Sequence, residues 1–263
     1  MVKCSTSSPV RYPGGKFRAR KIIEEYLPNE SSKILSPFFG GGSFELYATG
    51  LGHFVIGADG FKSLANFWTN LLSNPEEMAD ELQKYLGNVD SDLFKSVQIR
   101  QKSNDDPNSL IDAVEFILIN RCSFSGATFS GGFSKESART RFTQSLIDKI
   151  RSFKNDNLKF EYGLFEEVIP QYADSVDLMF LDPPYLLDGA KNSLYGIGGD
   201  MHKSFDHNLF YEVVVDSNKP FILTYNNSDE IRNIWKDYKI LDAEWSYGMN
   251  KSKKSSEIII IND

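Results

Sequence analysis

Asp182-Pro183-Pro184-Tyr185 follows directly on an apolar run, Val176–Leu181. Two prolines lack N–H groups and stiffen the turn. They leave two acceptors, the Asp182 carboxylate and the Pro183 carbonyl, at the carboxyl end of a strand, where ligands of α/β sheets bind. Tyr185 adds a flat ring beside them. This set suits an amine conjugated to a heteroaromatic ring, which is a poor nucleophile. Holding both of its hydrogens favours a pyramidal nitrogen and frees the lone pair. The tyrosine ring can stack on the base.

A second group is Pro37-Phe38-Phe39-Gly40-Gly41-Gly42-Ser43, between an apolar run and a helical pattern. Glycines let backbone N–H groups approach a ligand with no Cβ in the way. Such a turn alone could serve any nucleotide cofactor, or no ligand at all. Asp59 ends the next apolar run, 17 residues beyond Gly42. An acid at about that spacing can accept hydrogen bonds from a ribose diol. The loop is not GxGxxG, which lowers a nicotinamide reading. A third group, Arg11-Tyr12-Pro13-Gly14-Gly15-Lys16, joins an aromatic ring, two glycines and two cations ahead of a helical pattern.

Seven short runs read as the strands that position these groups: Lys33–Pro37, His53–Ala58, Leu158–Tyr162, Val176–Leu181, Pro220–Tyr225, Tyr238–Ser246 and Glu257–Ile261. Several are apolar throughout, as strands buried on both faces are. Helical patterns lie between most of them: Lys16–Leu27, Ser43–Gly50, Ser63–Leu72, Leu164–Tyr172, Asn208–Val215 and Ser228–Trp235. This alternation predicts an α/β sheet with right-handed crossovers. The last two runs are joined only by the polar turn Tyr247–Ser256 and read as an antiparallel hairpin. Residues 61–154 break the alternation. They hold helical patterns (Pro75–Leu86, Leu110–Asn120, Gln144–Phe153), an exposed loop at Asn104–Asn108 and a Gly-rich polar stretch after Arg121.

The 263 residues are 41% hydrophobic and 25% charged, which excludes a mainly disordered chain. No window is apolar enough to span a bilayer, and the first residues lack the apolar stretch of a signal peptide. Cys4 and Cys122 have no metal-ligand spacing and read as free thiols of a reducing compartment. The net charge of −7 argues against a polyanion partner, but its distribution argues back. Residues 1–21 carry six cations (Lys3, Arg11, Lys16, Arg18, Arg20, Lys21) and no acid. Residues 121–154 carry seven cations against two acids, and residues 247–256 carry Lys251, Lys253 and Lys254 alone. A basic face on an acidic body suits a nucleic-acid binder.

In type and order, these motifs resemble the Dam-type (alpha-group) adenine-N6 DNA methyltransferases: RYPGGK, then PFFGGG, then the acid, an insertion, and DPPY. Asn120-Arg121 with SFSGATFSGGF, and Phe205-Asp206-His207, continue the likeness. The resemblance implies a seven-stranded Rossmann-like methyltransferase sheet with a mainly helical target-recognition insertion. Residues 1–60 and 155–263 would form the catalytic domain, and residues 61–154 the insertion. It implies S-adenosyl-L-methionine as cofactor, held by Tyr12, Lys16, Phe38, Gly40, Gly42, Asp59 and Asp182. Asp182, Pro183, Pro184 and Tyr185 would form the transfer centre for a flipped adenine of double-stranded DNA. Arg121, Lys135, Arg139 and Arg141 would contact phosphates or guanine edges, and Phe124, Phe129 and Phe133 would wedge into the base stack. A monomer without a metal, in the cytoplasm of a bacterium or a virus-infected host, completes the expectation. Such an enzyme can belong to a restriction-modification pair. Members often carry an acid where Ser36 stands here, and an apolar residue with Asn where Gly60-Phe61 stands. Cytosine-N4 or RNA adenine methylation, or an inactive DNA-binding homologue, are the competing readings.

Overall fold

The structure is a computed structural model that describes residues 4–186, 205–244 and 256–262. Its strands are β1 (Lys33–Ser36), β2 (Phe54–Asp59), β3 (Leu158–Tyr162), β4 (Leu178–Leu181), β5 (Phe221–Asn226), β6 (Lys239–Ala243) and β7 (Glu257–Ile261). They form one sheet in the order β3-β2-β1-β4-β5-β7-β6. The first five are parallel, with Leu35 beside both Ile56 and Met179. β7 runs antiparallel between β5 and β6. The seven-stranded α/β sheet is therefore present, and the terminal pair is antiparallel as expected. The Tyr247–Ser256 turn with Lys251, Lys253 and Lys254 lies outside the described residues apart from Ser256, as does Lys3.

β4 and β7 are buried at every position, because both faces of the sheet are covered. One apolar cluster joins Ile34, Val55 and Phe180 to Trp68, Phe116 and Ile150. The other joins Leu35, Met179 and Leu223 to Val168, Phe210 and Trp235. Residues 61–154 therefore share a core with one sheet face. Their helices are α3 (Lys62–Ser73), α4 (Pro75–Gln83), α5 (Ser91–Lys102), α6 (Leu110–Cys122), α7 (Lys135–Arg141) and α8 (Gln144–Arg151), following α1 (Arg20–Glu24) and α2 (Glu45–Gly50). α3 packs on β2, β3 and α6.

Two of these helices are additions to the sequence reading. α5 is started by Asp90, whose carboxylate accepts from the N–H groups of Asp92 and Leu93. α7 begins after Ser134 and buries none of its residues. In contrast, α1 is shorter than the Lys16–Leu27 pattern: residues 16–19 form turns. Cys4 and Cys122 are free, and burial pushes the Cys122 thiol up to about 12.

Candidate active site

The strand order reverses direction between β1 and β4, which is where ligands of open α/β sheets bind. A cavity of about 550 Å³ opens there, beyond the carboxyl ends of β1, β2 and β4. Its walls bring together Tyr12, Lys16, Phe38, Gly40, Gly42, Asp59, Asp182, Pro183 and Pro184 from the sequence-predicted set. Asn104, Asp105 and Pro107 of the predicted exposed loop also line it.

The glycine loop after β1 is shaped by close approach. Gly40 and Gly42 have φ of +50° and +63°, where an L side chain is strained. A Cβ on Gly40 would stand 3.0 Å from the Tyr12 ring, and one on Gly42 2.5 Å from the Phe39 ring. The Trp68 indole N–H donates to the Gly40 carbonyl at 2.9 Å. Asp59 holds the loop from the next strand: its carboxylate accepts from the Gly40 N–H at 2.8 Å and the Phe61 N–H at 2.9 Å. Burial lifts the Asp59 carboxyl to about 6, against the pull of those two bonds. Phe38 packs among Phe165, Phe205 and Phe210, with ring centroids 5.4–5.7 Å apart.

Sequence reasoning missed a second acid on the cavity wall. Glu45, in the first turn of α2, is buried and accepts from the Ser36 hydroxyl at 2.9 Å. Burial pushes its carboxyl up to about 8; Asp182 adds to the rise, while Ser36 and Lys16 oppose it. The end of β1 thus lacks its own acid at Ser36 but faces one supplied from α2. The available signal was an acid in the apolar stretch Phe44–Ala48, nine residues after a polar strand end.

At the end of β4, the Asp182 carboxylate meets the Lys16 ammonium at 2.6 Å and 2.7 Å through its two oxygens. Lys16 also donates to the Gly14 carbonyl at 3.0 Å, and its side chain is only 3% exposed. Thr224 on β5 donates to Asp182 Oδ1 at 2.8 Å. The Lys16 Nζ stands 5.0 Å from the centre of the Tyr185 ring. Tyr185 donates through its hydroxyl to buried Glu257 on β7, and its ring lies 5.9 Å from that of Tyr225. The Tyr225 hydroxyl bonds His207 Nδ1, and burial raises the phenol well above its usual value. Asp206 caps the helix His207–Asp216 by accepting from Asn208 and Leu209. Thr224, Tyr225 and Glu257 were not legible as neighbours of DPPY, because β5 and β7 reach it only through the sheet.

The candidate DNA residues divide. Arg121 lies in the last turn of α6 and Arg141 ends α7, and the two repel each other. Lys135 opens α7, and Arg139 pairs with Glu136 at 3.1 Å, both exposed. Phe124 is 70% exposed on a short 3-10 turn, Phe124–Gly126. Phe133 is partly buried against Phe94 at 5.7 Å, and Phe129 is buried against Phe61 at 5.7 Å. Of the three aromatics, Phe124 alone offers most of its ring to solvent.

The comparisons with known proteins agree with this arrangement. Residues 12–249 match the model of the D12 class N6 adenine-specific DNA methyltransferase family. The chain is 22% identical over 183 residues to the Type II methyltransferase M.CviBI of Paramecium bursaria Chlorella virus NC1A, covering 67% of this chain and 68% of that one. It is 24% identical over 199 residues to the Type II methyltransferase M.MjaIII of Methanocaldococcus jannaschii, with the shares again 67% and 68%. Among solved structures, a precorrin-6y C5,15-methyltransferase from Geobacter metallireducens GS-15 covers 92% of this chain and 84% of its own at 10% identity. Its TM-score of 0.39 is too low to add to the topology above. Order of motifs, sheet topology and a match over nearly the whole length converge: the chain belongs to the D12 class of N6 adenine-specific DNA methyltransferases.

Proposed function

We propose that the cavity holds S-adenosyl-L-methionine, and that Asp182-Pro183-Pro184-Tyr185 receives the N6 amine of an adenine flipped out of duplex DNA. The observation that carries this is the position of Asp182. Its carboxylate lines the cavity while it is held by Lys16, whose ammonium stands over the Tyr185 ring. A small molecule in the cavity and a base on Tyr185 would therefore meet at one carboxylate.

The donor set fits the cofactor. A Cβ would fill the space beside Tyr12 above the glycine loop, so that floor is kept open. Asp59 offers a carboxylate to ribose hydroxyls from one side, and Glu45 a carboxyl to an ammonium from another. Tyr12 and Phe38 supply flat apolar walls. When bound, the cofactor brings a methyl group already activated on a sulfonium sulfur. The chain itself must then position, orient and exclude water.

Asp182 acts as an oriented acceptor rather than a strong base. Thr224 fixes one oxygen, and the Pro183 carbonyl supplies the second acceptor for the amine hydrogens. Lys16 holds Asp182 aimed until the amine arrives to compete for the same oxygens. Glu257 fixes the tilt of Tyr185 through its hydroxyl, so the stacking face is set before the base enters.

Residues 61–154 would read the target, with the rest of the chain forming the catalytic domain. Arg121, Lys135, Arg139 and Arg141 would face the duplex, and exposed Phe124 is the aromatic best placed to fill the gap left by a flipped base. All of these residues come from one chain, so a monomer suffices. Among the described residues no helix is long and apolar enough to cross a membrane.

Calorimetric titration tests the cavity assignment. S-adenosylmethionine should bind the wild-type chain, and Asp59→Ala should weaken it at least about tenfold. Binding of NADH in place of S-adenosylmethionine, or an unchanged Kd in Asp59→Ala, would overturn it.

A further inference from the structure

We infer that Arg11, Arg121, Arg141 and Lys149 form a pocket for one phosphodiester group of the bound DNA, an inference that rests on the duplex-DNA reading above. Three of these side chains converge without a counter-charge. Arg141 acts on both Arg11 and Arg121, Arg11 on Arg121, and Arg121 on Lys149, each as a like charge. Among the described residues no carboxylate pairs with any of the four. Their neighbours in sequence behave otherwise: Arg139 has Glu136, and Arg151 has Asp80 at 2.7 Å.

Two donors inside the cluster are buried and bonded to nothing, Arg11 Nη1 and Arg121 Nε. An unpaired buried donor on a charged group is costly. A fold that brings several such groups together pays that cost unless an anion completes them. Burial and the neighbouring guanidiniums lower Arg121 to about 10, which still leaves it charged at neutral pH. Lys149 is held in place by donating to the Ser8 carbonyl at 2.8 Å.

The pocket is built rather than incidental. Asn120 clamps the backbone of Arg11 from both sides, accepting from its N–H at 2.9 Å and donating to its carbonyl at 2.7 Å. Gly126, with φ of +75°, lies against Arg11; a Cβ there would stand 2.7 Å from the Arg11 Cβ. Several forked donors plus an ammonium exceed what the two acceptors of a guanine edge can use, but match the anionic oxygens of a phosphate group. Arg11 also immediately precedes Tyr12, whose ring covers Gly40. A phosphate held here would fix the register of the duplex one residue from the cofactor loop.

The test uses the full chain with Arg121→Gln, and with Arg141→Gln at the exposed end of α7 as a substitution that cannot disturb the core. Duplex binding is followed by fluorescence anisotropy over a salt series, S-adenosylmethionine binding by calorimetry, and melting with and without sulfate. Each variant should bind duplex about tenfold more weakly, with a slope of log K against log salt shallower by about 0.9. Its cofactor Kd should be unchanged and its Tm equal to or above wild type, because repulsion has been removed. Sulfate should raise the Tm of the wild type by more than that of Arg121→Gln, the difference being the specific site. A lowered Tm with an unchanged salt slope would make the cluster structural and overturn the inference. A sulfate effect lost in Arg121→Gln with unchanged duplex binding would assign the pocket to free anions and overturn its DNA occupant. A wild-type chain that binds S-adenosylmethionine but no duplex at any salt would remove the DNA reading itself, and this inference with it.

Discussion

Lys16 and Arg11 lie five residues apart on the same N-terminal segment, and both are drawn inward, yet their surroundings are opposite. Lys16 is almost fully buried but answered by Asp182, with the Gly14 carbonyl accepting a further hydrogen bond. Arg11 is partly buried beside other cations, with one buried guanidinium nitrogen, Nη1, left unbonded. The first site is neutral before any ligand enters. The second carries an excess of positive charge, which the phosphate proposed above would balance. A buried cation with its partner belongs to a machine already assembled, whereas a cluster of partly buried cations without one marks a surface that is completed by what binds there.

The largest break in this contrast is Asp182→Asn. It removes charge from the acceptor that faces the amine, and methyl transfer should fall by about 10³, the scale seen for loss of an oriented polar group at a reaction centre. Radiolabel transfer to duplex DNA measures it. The same substitution strands the Lys16 ammonium, at a cost of about 3 kcal/mol in stability. The double variant Lys16→Met/Asp182→Asn should recover most of that loss in denaturant unfolding while remaining inactive. Recovery of activity along with stability would show that the pair is merely structural.

Glu45 sharpens the comparison from the acid side. Its carboxyl is raised by burial to about 8 from an ordinary 4.5, so the folded state binds its proton more tightly than the unfolded chain. That contribution is complete below about pH 4.5 and is lost as pH rises through about 8. It amounts to on the order of 5 kcal/mol across the whole window. Stability of the cofactor-free protein should therefore decline between those values, and Glu45→Gln should flatten the decline. Melting temperatures over a pH series check this.

The smallest effect belongs to Arg139→Gln. Both members of the Arg139–Glu136 pair are exposed, and such pairs contribute under about 0.5 kcal/mol. Duplex affinity should change much less than in Arg121→Gln. An Arg139 effect as large as that of Arg121 would erase the distinction between paired and unpaired cations.

Much of the fold was legible because parallel strands buried on both faces leave unbroken apolar runs. β3 and β7 begin and end at the residues the pattern gives. α5 and α7 were not legible, since α5 buries only Phe94, Val97 and Gln101 and α7 buries nothing. Their starts are set by the Asp90 and Ser134 caps, not by an apolar stripe. Within the site, DPPY, the glycine loop and Asp59 announced themselves through residue type and spacing. Glu45 did not, because an acid in the first turn of a helix is ordinarily explained by the helix dipole. Nor did the pairing of Lys16 with Asp182, or of Tyr185 with Glu257. Those contacts join residues 166 and 72 positions apart and exist only once the sheet is assembled.

The most direct measurement is transfer of labelled methyl from S-adenosylmethionine to unmethylated duplex DNA, followed by nucleoside analysis, with Asp182→Asn alongside. We expect label in N6-methyladenine from the wild type and almost none from the variant. Label in N4-methylcytosine, no label in DNA, or a variant as active as the wild type would contradict the assignment of Asp182 as the acceptor at an adenine methylation centre.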